Sequence, residues 1–199
     1  MLEQLGLRNF FANFNIFGEV EEGGEALNEK ILEEINMAAF EMGSVKTGAL
    51  IVIEGQVALG EYERSGIAVD GLVSSQLLIN IFEHNTPLHD GAVIVRGNRI
   101  VAATCYLPLT ESLEIGKELG TRHRAAVGIS EVSDSVTVVV SEETGAVSVA
   151  RDGKLYRHLD RDGLRELLQE KLLDPTSSSS MNVFTRWKGM LNNERADKK

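Results

Sequence analysis

Between Leu27 and Met42 the apolar residues Leu27, Ile31, Ile35, Ala38 and Met42 return at steps of three and four. That spacing lays them on one face of a helix, which Gly43 ends. The next apolar stretch has a different character. Gly48–Glu54 is a continuous run of strand length, rich in β-branched side chains, as in a central strand buried on both faces. Ser74 and Ser75 supply caps for a helix through Gln76–Phe82, and Asn85-Thr86-Pro87 then imposes a loop, because proline removes a donor and restricts the residue before it. Ala92–Arg96, Gly97-Asn98 and Arg99–Leu107 read as strand, two-residue turn and strand. Residues near Gly116–Ile129 read as a loop running into a helix. Ser135–Ser141 and Ala146–Ala150 predict a second hairpin across Glu142-Glu143-Thr144-Gly145, and Leu164, Leu167, Leu168, Lys171 and Leu172 a final amphipathic helix stopped by Pro175. The class implied is α/β, a single domain over residues 27–174 with a central mixed β-sheet flanked by helices.

The two ends differ from this middle. Met1–Phe17 carries Phe10, Phe11, Phe14 and Phe17, but Arg8, Asn9, Asn13 and Asn15 interrupt it, so it is neither a membrane span nor a clear helix. Two alternatives stay open for it: packing on the domain, or following a membrane segment. Glu19–Glu25 reads as an acidic connector that closes an N-terminal segment, residues 1–26. Ser177–Ser180 begins a low-complexity tail, residues 175–199, with no periodicity beyond a short Met181–Leu191 patch containing Trp187; the tail is expected to be disordered or weakly docked.

A length of 199 residues with 43% hydrophobic content suits one core. The formal charge of −10 argues against nucleic acid as a partner, while leaving room for a small anionic ligand held by local cations and backbone N–H groups. The single cysteine, Cys105, lies in an apolar run and reads as a small buried residue; alone it forms neither an internal disulfide nor a cysteine metal cage. No stretch approaches the roughly 18–20 apolar residues of a span, and no signal peptide opens the chain.

Three clusters carry candidate chemistry. In His89-Asp90-Gly91-Ala92 an imidazole and a carboxylate meet two residues with almost no side chain, so a ligand can approach the backbone beside an acid group; a local loop-to-strand turn is the plain alternative. Gly120-Thr121-Arg122-His123-Arg124 stacks a hydroxyl, two guanidinium groups and an imidazole on the first turn of the predicted helix. Cations are disfavoured at a helix N-terminus unless an anion joins them, so this composition points to phosphate; pairing with Glu118 or Glu131 is the alternative. Ser141, Glu142 and Glu143 offer hydroxyl and carboxylate oxygens suited to a phosphate or a hydrated divalent metal, or form a polar turn. Tyr106 and Leu107 either border an adenine slot or pack in the core. His84 and His158 stand alone, as structural or solvated histidines do. The common nucleotide-binding glycine motifs are missing.

Asp90-Gly91-Ala92 followed about thirty residues later by Arg122-His123-Arg124 resembles the motif pair of the diadenylate cyclases. The resemblance is to the membrane-type bacterial enzymes and runs from Leu2 to Leu173. It implies a reaction that condenses two ATP into cyclic di-AMP with release of two pyrophosphates. By position it implies that Asp90 activates the ribose 3′-hydroxyl, that Gly91 and Ala92 permit close approach, and that His89 helps hold a divalent metal, Mn²⁺ or Mg²⁺. It further implies that Gly120, Thr121, Arg122, His123 and Arg124 hold the triphosphate with Ser141, that Glu142 and Glu143 lie near the metal, and that Tyr106 and Leu107 border the adenine. A face-to-face homodimer, a membrane regulator protein and phosphoglucosamine mutase are the partners implied, and a parent anchored in the bacterial cell membrane with this domain in the cytoplasm is the implied location. A nucleotide sensor without turnover and a protein-interaction module are the rival expectations.

Overall fold

The computed structural model describes residues 27–112 and 119–172. The Phe-rich opening, the acidic connector and the Ser-rich tail lie outside the described residues. Twelve elements are described: α1 (Glu29–Ser44), β1 (Ala49–Ile53), α2 (Gly60–Glu63), β2 (Ile67–Leu72), α3 (Ser75–Phe82), β3 (Ala92–Arg96), β4 (Arg99–Cys105), α4 (Thr121–Val132), β5 (Val136–Val140), β6 (Val147–Arg151), β7 (Lys154–Leu159) and α5 (Arg161–Leu172). The strands form one mixed sheet in the order β2-β4-β3-β1-β5-β6-β7. β1 and β3 run parallel, and every other neighbouring pair is antiparallel.

β1 is central because it is apolar on both sides. Ala49, Ile51 and Ile53 point into one core with α1, α3 and α5, while Leu50 and Val52 point into the other with α2 and α4. All five are at most 3% exposed, and burying each large side chain contributes about 1.5–3 kcal/mol. On α1 the predicted stripe faces inward: Ile31, Ile35, Ala38 and Met42 are buried. Its start is capped by Asn28, whose side chain accepts from the Ile31 N–H, and Ser74 caps α3 by accepting from the Leu77 N–H. Asn36 donates to the Arg161 carbonyl at 2.8 Å and ties α1 to the start of α5.

The sequence expectations for α1, β1, α3, β3, β4, α4, β5, β6 and α5 correspond to observed elements, with ends shifted by a few residues. β2, β7 and the short α2 were not anticipated. Both missed strands are sheet edges. β2 contains Asp70 at φ 49° and Gly71, with a register shift between Ala68 and Gly71, and β7 is largely polar. Neither carries the apolar run or the strict alternation by which a strand is recognised.

The mixed topology gathers one set of strand ends along one margin. The N-terminal ends of β3, β1 and β6 and the C-terminal ends of β4, β5 and β7 all lie there, joined by the N-terminus of α4.

Candidate active site

A cavity of about 630 Å³ opens along this margin, within the usual range for a small-molecule site. Asp90 and Gly91 enter from the start of β3, Cys105, Tyr106 and Leu107 from the end of β4, and Leu50 from β1. Gly120 to His123 come from the start of α4, Ser141 to Thr144 from the turn after β5, Ser148 from β6, and Arg157 and His158 from β7.

Gly91 determines how Asp90 is presented. Its φ of 109° is open to glycine, and a Cβ there would lie 2.9 Å from the Thr104 Cα and 3.0 Å from the Cys105 carbonyl oxygen. The loop therefore presses onto β4, and Asp90 stays exposed at the cavity wall beside Tyr106. Ala92 is fully buried and pairs with Cys105, which makes it part of the sheet beneath the site and not of the cavity wall. His89 is half-buried and also off the wall. Its Nδ1 donates to the Thr86 carbonyl oxygen at 2.6 Å, which leaves Nε2 as the acceptor in the neutral ring.

At α4, Gly120 occupies the cap position without a side-chain cap, and a Cβ on it would meet open space. The first-turn N–H groups of a helix have no acceptor within it, and here they lie at the cavity. Arg122 lies across the start of β1: a Cβ on Gly48 would come within 2.9 Å of its Nη1. Its guanidinium pairs with Glu142 at 2.6 Å; of the two partners the sequence offered, Glu131 instead accepts from the Thr110 hydroxyl, and Glu118 lies outside the described residues. Arg124 projects elsewhere and is off the cavity wall. Its Nη2 donates to the Thr110 carbonyl oxygen at 2.6 Å, and the Thr110 hydroxyl donates to Glu131 at 2.6 Å. One face of α4 thus grips the segment that follows Tyr106 and Leu107, and the opposite arginine faces the cavity. Ser141 accepts the Thr144 N–H on its hydroxyl, which orders the turn bearing Glu142 and Glu143. Tyr106 is 68% exposed at the rim, so core packing is not its role.

Two groups in the wall are held neutral. Burial pushes the Cys105 thiol up to about 11, with Glu63 adding to it. His123 is 7% exposed, and burial, then Arg157, then Arg122 push its imidazole below the ordinary value of 6.5. The unfolded chain thus binds the His123 proton before the folded chain does, so this histidine's contribution to stability is present above pH 6.5 and is lost as pH falls through the folded value. Thermal melts should show the parent losing more stability than His123→Gln on moving from about pH 8 to about pH 5.5. Equal losses would remove His123 as the cause.

No group of three or more His, Cys, Asp or Glu among the described residues forms a cage for a metal ion. Asp90, Glu142 and Glu143 nevertheless bring hard carboxylate oxygens to the wall, which fits a cation of the Mg²⁺ kind, usually bound by one or two carboxylates together with substrate phosphates and water.

Of the residues singled out in the sequence, the cavity brings together Asp90, Gly91, Tyr106, Leu107, Gly120, Thr121, Arg122, His123, Ser141, Glu142 and Glu143; His89, Ala92 and Arg124 lie outside its wall. Arg157 was missed, and His158, which the sequence left solitary, lines the cavity. Their signal was hidden in a strand without an apolar pattern.

A family model described as "DisA bacterial checkpoint controller nucleotide-binding" matches residues 36–155. The cyclic di-AMP synthase CdaA of Bacillus subtilis is 51% identical over 96% of this chain and 67% of its own length. A diadenylate cyclase of Listeria monocytogenes is 44% identical over 94% of this chain and 66% of its own length. The chain thus spans about two thirds of the length of these curated relatives. Among solved structures, a crystal structure of DacA from Staphylococcus aureus, a double mutant, superposes with a TM-score of 0.71 at 52% identity, covering 72% of this chain and 96% of that one. A protein from Bacillus cereus described as a hypothetical membrane spanning protein gives 0.62 at 46% identity, over 64% of this chain and 63% of its own. With the family model and these relatives in agreement, the chain belongs to the diadenylate cyclase family of enzymes.

Proposed function

We propose that this chain is the catalytic unit of a diadenylate cyclase that condenses two ATP into cyclic di-AMP and releases two pyrophosphates. One observation carries the reading: the Asp90 carboxylate and the uncapped, basic start of α4 face the same cavity. Adenine lies against Tyr106 and Leu107, the ribose beside Asp90 and the phosphates at Thr121, Arg122 and His123, with Ser141 alongside. Gly120 leaves the backbone open to close approach, and Gly91 lets the Asp90 loop sit against β4. Arg124 acts through Thr110, holding the adenine wall in place relative to the phosphate end.

Asp90 takes the proton of the ribose 3′-hydroxyl as that oxygen bonds to the α-phosphorus of a second ATP. The bond from that phosphorus to the pyrophosphate oxygen breaks, and the leaving group carries away its electron pair. Repeating the step closes the ring. Such displacements depend mostly on positioning and on neutralising charge. A divalent cation, Mn²⁺ or Mg²⁺, supplies part of that neutralisation when bound. Asp90, Glu142 and Glu143 bring candidate carboxylates for it, and His89 is the imidazole that the family resemblance implies.

One cavity suits one ATP, yet each hydroxyl attacks the other nucleotide, so two subunits meet face to face about a two-fold axis. The exposed rim residues Tyr106 and Leu109 favour this arrangement. The membrane-anchored parent, the membrane regulator and phosphoglucosamine mutase belong to the same proposal and rest on the family resemblance; among the described residues no helix is long and apolar enough to cross a membrane.

Incubation with ATP and Mn²⁺ or Mg²⁺ should yield cyclic di-AMP and pyrophosphate, with activity per subunit rising as protein concentration drives dimerisation. ATP binding without either product at high protein concentration would favour the sensor reading and refute this one.

A further inference from the structure

Along the last strand of the sheet, β7 carries a two-for-one bulge. Val147 pairs with Leu159 and Val149 with Tyr156, so Arg157 and His158 together stand opposite Ser148. In a regular strand consecutive side chains point to opposite faces. Here the extra residue, with His158 at φ 56°, brings both Arg157 and His158 to the cavity that Ser148 also lines. A non-glycine residue in the left-handed region stores backbone strain, and beside a cavity that strain is a reason to look for a role.

The order of strands says which part of a ligand these residues meet. Reading across the margin from β4 to β7, the wall passes from Tyr106 and Leu107 to Asp90, then Leu50, then Ser141 beside Arg122, then Ser148, and last Arg157 and His158. If the base sits at β4 and the ribose at Asp90, a triphosphate that passes Arg122 continues toward β7. We propose that Arg157 and His158 form a subsite for the phosphates farthest from the ribose, the pair that leaves as pyrophosphate. This assignment rests on the ATP-binding reading above. Arg157 offers the planar fork that suits phosphate oxygens, and His158 adds an N–H donor at the exposed lip. The charge of Arg157 already reaches the phosphate end of the cavity, since with burial and Arg122 it helps keep the buried His123 neutral.

The test is competition binding of ATP, AMP and inorganic pyrophosphate, with the divalent metal present, to the parent chain and to Arg157→Gln, Arg157→Lys and His158→Gly. The last keeps a residue suited to the left-handed backbone while removing the imidazole. Arg157→Gln should weaken ATP and pyrophosphate about tenfold or more, the scale of a lost charge-assisted hydrogen bond, and leave AMP unchanged. Arg157→Lys should fall between, keeping the charge and losing the fork, and His158→Gly should show a smaller loss in the same two ligands. AMP is also the control for folding. ATP and AMP weakened alike in both arginine variants, or ATP and pyrophosphate unchanged in Arg157→Gln, would overturn the subsite. The two proposals fail separately: product from the parent with an indifferent Arg157 sinks the subsite alone, whereas Arg157-dependent pyrophosphate binding without any cyclic product sinks the cyclase reading alone.

Discussion

Asp90→Asn should lower cyclic di-AMP formation by about 10²–10⁴-fold, the range a general base contributes, while ATP binding stays within a few-fold of the parent. The amide has nearly the same shape and can fill the same place on the loop that Gly91 presses against β4. It cannot take up the hydroxyl proton at neutral pH. In the proposed binding mode its loss costs no direct phosphate contact, because the groups assigned to the phosphates come from α4 and the turn after β5. Turnover measured beside direct ATP titration checks both halves. A variant as active as the parent removes Asp90 from the chemistry, and one that no longer binds ATP gives it a binding role instead.

Gly128→Ala should destabilise the protein by about 3 kcal/mol, lowering the melting temperature by roughly 6–12 °C for a chain of this size. In an exposed helix interior the same change would stabilise by up to about 1 kcal/mol, so the two expectations differ in sign. Crowding decides it. A Cβ on Gly128 would lie 2.1 Å from the Pro108 carbonyl oxygen and 2.8 Å from the Thr110 nitrogen. The obstructing atoms are backbone, and they are held from the same helix: Thr110 N–H donates to the Arg124 carbonyl at 3.1 Å, and Arg124 donates back to the Thr110 carbonyl at 2.6 Å. Relief requires α4 and the segment after β4 to separate, which also shifts the cavity wall at Tyr106 and Leu107 relative to the first turn of α4. Activity should therefore fall even where the variant remains folded. A melting temperature equal to or above the parent's would show that the segment yields without cost.

The contrast between Arg122 and Arg124 shows where sequence reasoning stops. The motif was legible because cations at a helix start work against the helix dipole, and residue types alone pointed to phosphate as the expected ligand. Residues two apart on a helix lie on different faces, and only packing selects which of them faces the cavity; here Gly128 and Glu131 put Arg124 on the face that holds Thr110. The neighbours His89 and Asp90 divide for a similar reason, since Thr86 turns the imidazole into its own loop. For the fold, α1 and β1 declared themselves through periodicity because one face or both faces are buried. β2 and β7 did not, because an edge strand takes much of its definition from the neighbour it pairs with. Arg157 and His158 were lost with β7, and their placement depends on a bulge that exists only in register with Ser148.

The place of β1 between β3 and β5 has a consequence for synthesis on the ribosome. Its partners emerge well after it, β3 following α2, β2 and α3, and β5 following β4 and α4 as well. Until then the chain carries an apolar strand with both edges unsatisfied, the kind of segment that seeks strands on other chains. Fragments that end before β5 should accumulate as insoluble material, so a stalled or truncated product of this gene would be cleared or precipitate before it could bind nucleotide.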